Sequence, residues 1–212
     1  MIEELKFIPS FEFKGDRNYV HGTSIVSYLQ ESREINELGL ALKSIKFIST
    51  ISKQPLIYVL DPIKYESLKA SHQIAFEGKL SSFNEKDLSF ALIGLESNVN
   101  ITSCVLYNEA KITKDSLLQD DTISLSRLSG YLFIEEVVAL MKYYCNHVKP
   151  PKANSKWLFT GIEFLAPLPL IRDPDLCITL INFQFLGSSF VKAKLYYDHK
   201  LLGGIHFTVS EI

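Results

Sequence analysis

One order of segments occurs twice in this chain, and it limits the possible folds more than any single motif does. An apolar helical stretch opening on glycine, GTSIVSYLQE at 22–31, precedes the strand-like IKFIS at 45–49 and the hairpin pattern KLSSFNEKDLSFALIG at 79–94. The same order returns as GYLFIEEVVALMKYY at 130–144, IEFLA at 162–166 and KLYYDHKLLGGIHFTV at 194–209. Two helix-plus-sheet units are therefore expected, 1–97 and 98–212, with the boundary near 95–100. A seam between such units is a common location for a ligand.

Composition narrows the classes. Hydrophobic residues make up 47% of the chain, enough for a substantial core. Basic and acidic side chains number 22 and 24, which leaves neither a nucleic-acid footprint nor a polybasic membrane patch. No apolar run approaches the roughly 18 residues of a spanning helix. The N-terminal MIEELKF is acidic and lacks the basic and apolar regions of a secretory signal. Cys104, Cys145 and Cys177 form no CxxC pair and, being odd in number, cannot all pair within the chain. Reduced thiols and a cytoplasmic location are expected, with no nucleic-acid or membrane partner.

Strand patterns dominate the rest. In 41–51, Ile45, Phe47 and Ile51 alternate with Ser44, Lys46 and Thr50, and 73–83 alternates Ile74, Phe76 and Leu80 with Glu77 and Lys79. Segments 157–166, 177–186, 190–198 and 201–209 are rich in β-branched and aromatic residues. Asp198-His199 falls where a tight hairpin turn is needed, and Gly203-Gly204 reads as a bulge or a close backbone approach. Pro55, Pro62, Pro167, Pro169 and Pro174 read as strand punctuation, and the polar 111–127 as a connection. In the second helix Phe133, Val137, Leu140, Met141 and Tyr144 form one stripe, with Leu132, Ile134 and Val138 filling the flanks. A helix apolar over most of its circumference is surrounded by protein. A curved antiparallel sheet around each helix satisfies both halves.

On these segments the second half resembles a hotdog domain of the β-hydroxyacyl-ACP dehydratase type. SGYLFIEEVV at 129–138 is similar to that family's helix start, a Pro-Gly followed by apolar residues and then the catalytic acid, which places the acid at Glu135. GIEFLAPLPL at 161–170 follows in the family's order, so the resemblance covers roughly 128–209. In the first half, YVHGTSIVSYLQE at 19–31 resembles the His-Gly helix start of the hotdog thioesterases. Together they imply an α+β double hotdog, two long central helices wrapped by a continuous curved antiparallel β-sheet. The chain also departs from both patterns. DTISLSRLSG at 121–130 has no histidine, Thr23 replaces the second glycine, Gln30 with Glu31 beside it falls at the helix aspartate, and Ser27 stands at the position equivalent to Glu135.

The chemistry expected of these residues follows. A helix N-terminus offers unpaired N–H groups and a partial positive charge to a thioester oxygen that turns negative in the transition state. Gly22 and Thr23, with Gly130 and Tyr131, are the candidate substrate-binding positions. His21 is the candidate base, and Glu135 the candidate acid on an apolar helix. The structural alternatives are packing for Gly22, a backbone bond for His21, and a helix-dipole role for Glu135 and Glu136. Asp16-Arg17-Asn18 reads as a capping turn or a contact for a phosphopantetheine arm or carrier protein. His72, His147, His199 and His206 lack metal-ligand spacing, so no metal and no cofactor are expected. What the resemblance implies is a protein of fatty-acid or polyketide metabolism that dehydrates a β-hydroxyacyl thioester carried by acyl carrier protein or coenzyme A. Thioester hydrolysis, an acyltransferase of the A-factor synthase type, and a non-catalytic acyl-binding scaffold are the alternatives. Monomer and homodimer both remain open.

Overall fold

The computed structural model describes residues 4–82 and 89–211. The turn of the first expected hairpin, at 83–88, and the first three residues of the acidic N-terminal segment lie outside the described residues. The chain divides into two compact units, Met1–Tyr107 and Asn108–Ile212.

In the first unit, β1 (Leu5–Phe7) and β2 (Phe13–Lys14) precede helix α1 (Gly22–Glu31) and the single turn α2 (Arg33–Asn36). Then come β3 (Leu40–Phe47), β4 (Lys53–Leu60), helix α3 (Pro62–Ser71), β5 (Phe76–Ser82), β6 (Ser89–Asn100) and β7 (Cys104–Val105). The antiparallel sheet runs β1-β4-β6-β5-β3. The unit extends beyond the expected 97/98 boundary because β6 continues to Asn100 and β7 pairs in parallel with β2. Helix α1 packs on β3 at one edge of the sheet, while its Tyr28 ring lies 5.9 Å from Phe7 of β1 at the other. A helix that meets both edges requires the sheet to curl around it.

The second unit holds α4 (Glu109–Thr113), β8 (Leu117–Gln119), β9 (Thr122–Leu125), α5 (Phe133–Val148), β10 (Ser155–Phe164), β11 (Ile178–Leu186), β12 (Phe190–Tyr197) and β13 (Lys200–Glu211). Its antiparallel order is β10-β13-β12-β11-β9-β8. Helix α5 packs on β10 and also on β9 and β11, far across that order, so this sheet curls as well. The protein is α+β, and each unit is a hotdog. Every α5 residue from Phe133 through Met141 is buried. Its β-branched residues each cost a few tenths of a kcal/mol in helix propensity. Burial of each such side chain contributes about 1.5–3 kcal/mol, and burial decides.

Several expectations require correction. The second helix starts at Phe133, because Gly130 takes φ +82, a left-handed conformation that cannot begin a helix. The polar 111–127 is not a plain connection: it carries part of α4 and the hairpin of β8 and β9, turned at Asp120 with φ 45. Pro62 does not punctuate a strand but occupies the first turn of α3, where Asp61 accepts from the N–H groups of Ile63 and Lys64. The terminal hairpins of the two halves also enter their sheets in opposite order. In the first unit the earlier strand, β5, lies beside β3, whereas in the second the later strand, β13, lies beside β10.

Other expectations hold. Asp198 and His199, with φ 47 and 62, make the two-residue turn that the right-handed strand twist favours. A Cβ on Gly203 would run into the Glu163 carbonyl oxygen, which is the close approach read from the glycine pair. In β11 the register shifts between Ile181 and Gln184, with Asn182 at φ 56. The bulge changes the strand's phase, so that Phe183 stacks on Tyr144 of α5 and Phe185 meets the Trp157 ring. Among the described residues, no helix is long and apolar enough to cross a membrane.

Candidate active site

The starts of the two central helices are built differently. At α1 the N-cap is His21, extended at φ −71 and ψ 133, and its carbonyl accepts from Ser24 N–H at 2.9 Å. An Asp or Ser at this position would turn its side chain onto the first-turn N–H groups. The His21 ring instead places Nδ1 2.7 Å from Thr23 Oγ1, and both residues are buried. Among the described residues, the N–H groups of Gly22 and Thr23 meet no protein acceptor. The helix therefore opens with donors still available.

A cation completes this cluster. Lys14 Nζ donates to Thr23 Oγ1 at 3.2 Å. An ammonium group can only donate, and Thr23 Oγ1 has two acceptor lone pairs, so with the imidazole proton on Nδ1 donating to Thr23 it is the Nε2 lone pair that can act as a base. The pairing of β2 with β7 fixes Lys14 and brings Tyr107 close. The Tyr107 ring lies 5.5 Å from the His21 ring, with Lys14 Nζ 5.3 Å and the Arg17 guanidinium 5.2 Å from its centroid. One turn further along α1, Ser27 is buried and its Oγ has no hydrogen-bond partner among the described residues. Thr23 and Ser27, four residues apart, share one helix face.

At α5 the first two donors, on Leu132 and Phe133, are taken. Glu135, buried at 6% exposure, returns Oε2 to accept from the N-cap Leu132 N–H at 3.0 Å. Phe133 N–H donates to the Leu170 carbonyl at 3.1 Å. Gly130 and Tyr131 lie before the N-cap, where Tyr131 N–H donates to Ser129 Oγ. Glu136 is buried with Arg172, whose Nε lies 3.0 Å from its Oε2, and Ser129 donates to its other oxygen through both N–H and hydroxyl. These two acids hold the second helix in place.

The structure thus gathers His21, Gly22 and Thr23 in the first unit and places Glu135, Gly130 and Tyr131 in the second. Sequence reasoning missed Lys14, Tyr107 and Arg172. Tyr107 reaches His21 only through the pairing of two short strands distant in sequence, which no local pattern reveals. Glu31 lies at the far end of α1, about 14 Å along the axis from the helix start, and is exposed. Cys145 is buried, and burial pushes its thiol up to about 12, which makes it a core filler rather than a nucleophile.

No family model and no curated protein matches the sequence. Solved structures similar to the chain include a tesB protein of Mycobacterium avium subsp. paratuberculosis, with TM-score 0.49 and 11% identity over 98% of this chain and 93% of that one. The dehydratase domain from the CurJ module of the curacin polyketide synthase is similar at TM-score 0.46 and 14% identity, covering 98% of this chain and 91% of that one. The 12:0-ACP thioesterase from Umbellularia californica is similar at TM-score 0.43 and 10% identity, covering 99% and 97%. The hotdog fold of each unit rests instead on its curled antiparallel sheet packed on a central helix.

Proposed function

We propose that this protein binds an acyl thioester with its carbonyl oxygen at the open start of α1. The observation that carries this reading is the pair of N–H groups at Gly22 and Thr23, left available by a histidine N-cap whose ring is engaged elsewhere. A preorganised donor of this kind is worth roughly 2.7–4 kcal/mol toward a developing oxyanion. The buried, unpartnered Ser27 hydroxyl on the same helix face supports it, since leaving such a group unsatisfied costs about 1–3 kcal/mol that a ligand would recover. Lys14 and Arg17 beside the helix start suit the anionic arm of a carrier or coenzyme.

The reaction we assign is dehydration of a β-hydroxyacyl group. His21 takes the α-proton, the carbonyl oxygen carries the enolate charge at the α1 donors, and the β C–O bond breaks as the proton held by His21 passes to the departing hydroxyl, which leaves as water. Hydrolysis is the second reading, favoured by one fact: Glu135, the acid that the dehydratase resemblance implies, already serves its own helix start. There His21 activates water instead.

Incubation with a β-hydroxyacyl pantetheine thioester, following enoyl absorbance and free thiol together, distinguishes the two reactions. Dehydration predicts the enoyl signal without thiol, lost about 100-fold or more in His21→Ala. Thiol release that depends on His21 selects hydrolysis. Binding of a non-hydrolysable acyl thioether with no turnover selects the scaffold.

A further inference from the structure

The sheet of the second unit has a built groove on the face turned away from α5. Along β12, Val191, Ala193 and Leu195 are buried toward the helix, and Phe190, Lys192 and Lys194 alternate to the other side. There a groove of about 490 Å3 opens, of a size that takes a small ligand. Side chains normally cover a sheet face, so the opening needs a cause.

The cause is Gly204. It pairs with Glu163 on one side and Lys194 on the other, and its missing side chain leaves an open floor between them. Nothing in the backbone demands glycine here: a Cβ would come no nearer than 3.6 Å to the Ala193 carbonyl. Its neighbour Gly203 differs, since a Cβ there collides with backbone. In the next row His206 pairs with Lys192, which in turn pairs with Gln184, and Phe190 with Leu186 forms an apolar end. The Phe190 and His206 rings lie 5.9 Å apart. The bulge at Asn182 supplies a second observation. A left-handed residue inside a strand is strained, and its effect is to bring Asn182, Gln184 and Leu186 to the groove.

We propose that this groove binds a small monocarboxylate with an alkyl or aryl body. Lys192 and Lys194, about 7 Å apart along one strand face, bracket the carboxylate, and the amides of Gln184 and Asn182 donate to it. The apolar body lies along Phe190 and Leu186. Glu163, across the glycine floor, repels a second negative charge and so selects against dicarboxylates and phosphate esters. None of these residues belongs to α1 or α5, so the site is independent of the thioester reading.

Isothermal titration of the full chain with phenylacetate and with hexanoate tests this, using phenylacetamide and inorganic phosphate as comparators. Both carboxylates should saturate one site, with the amide weaker by about tenfold or more because a charged hydrogen bond is lost, and phosphate weaker because it lacks the apolar body and brings a second charge to Glu163. Gly204→Val should block binding by filling the floor. The Lys192→Ala/Lys194→Ala double variant, exposed on the surface and not a folding risk, should weaken binding by about tenfold. Failure of both carboxylates to saturate, equal affinity for phenylacetamide, or undiminished binding in the lysine double variant overturns the proposal.

Discussion

Arg172 carries its charge where no water reaches it. Besides its bond to Glu136 it donates to the carbonyls of Leu125, Ser126, Arg127 and Leu176, so one guanidinium ties the strand before α5, the loop after β10 and the helix itself. Both partners of the ion pair are fully buried. Removing one leaves an uncompensated charge inside, and Arg172→Ala should cost about 3–5 kcal/mol in a urea titration. Arg172→Lys should not rescue it, because an ammonium cannot reproduce the fork of donors. Exchanging both residues for apolar ones of similar size should cost less than either single change, since desolvation of both charges is then avoided.

At the scale of elements, the adjacent glycines of β13 separate two uses of the same residue. Gly203→Ala forces a Cβ against the Glu163 carbonyl and should destabilise by about 1–3 kcal/mol. Gly204→Ala meets only ordinary contact and should be neutral or stabilising by up to about 1 kcal/mol through the unfolded chain. Thermal melts of the two variants, run side by side, check the contrast. What could be read in advance at this scale depended on burial. The bounds of α1 and most of the main strands were legible because apolar spacing marks them, whereas β4 was not, because it is buried along most of its length and its pattern does not alternate. Helix α3 was not, because none of its residues is buried and it carries no apolar stripe. Its signature was the Asp61-Pro62 pair, a cap followed by a first-turn proline, which resembles strand punctuation unless capping is weighed.

At the scale of the whole molecule, two kinds of titrating group set how stability responds to acid. Burial lowers the His206 pKa, partly opposed by Glu163, so the folded chain binds fewer protons there than the unfolded chain. That contribution is complete above the ordinary histidine value near 6.5 and is lost as pH falls through it. The Ser52 hydroxyl and nearby N–H groups hold the Glu96 carboxyl below its usual range. For Glu77, burial opposes ionisation but bonds from Lys69 and Tyr65 prevail and lower it. Their contribution is present above the usual carboxylate range and lost below it. Melting temperature should therefore fall in two stages on acidification, and His206→Gln should remove the first alone. The duplicated order of helix, strand and hairpin was visible in the residues because apolar patterning repeats. The opposite placement of the two hairpins was not, since strand neighbours depend on loops that carry no apolar code.

The unequal helix starts also fix an arithmetic. At α5 Glu135 and the Leu170 carbonyl occupy the N–H groups of Leu132 and Phe133, the second of which corresponds to the Gly22 donor that α1 leaves open, so a chain with two hotdog units should load a single acyl group. Titration with an inert acyl thioether should level off at one equivalent per chain, and a stoichiometry of two would mean that the second helix admits cargo despite its own carboxylate.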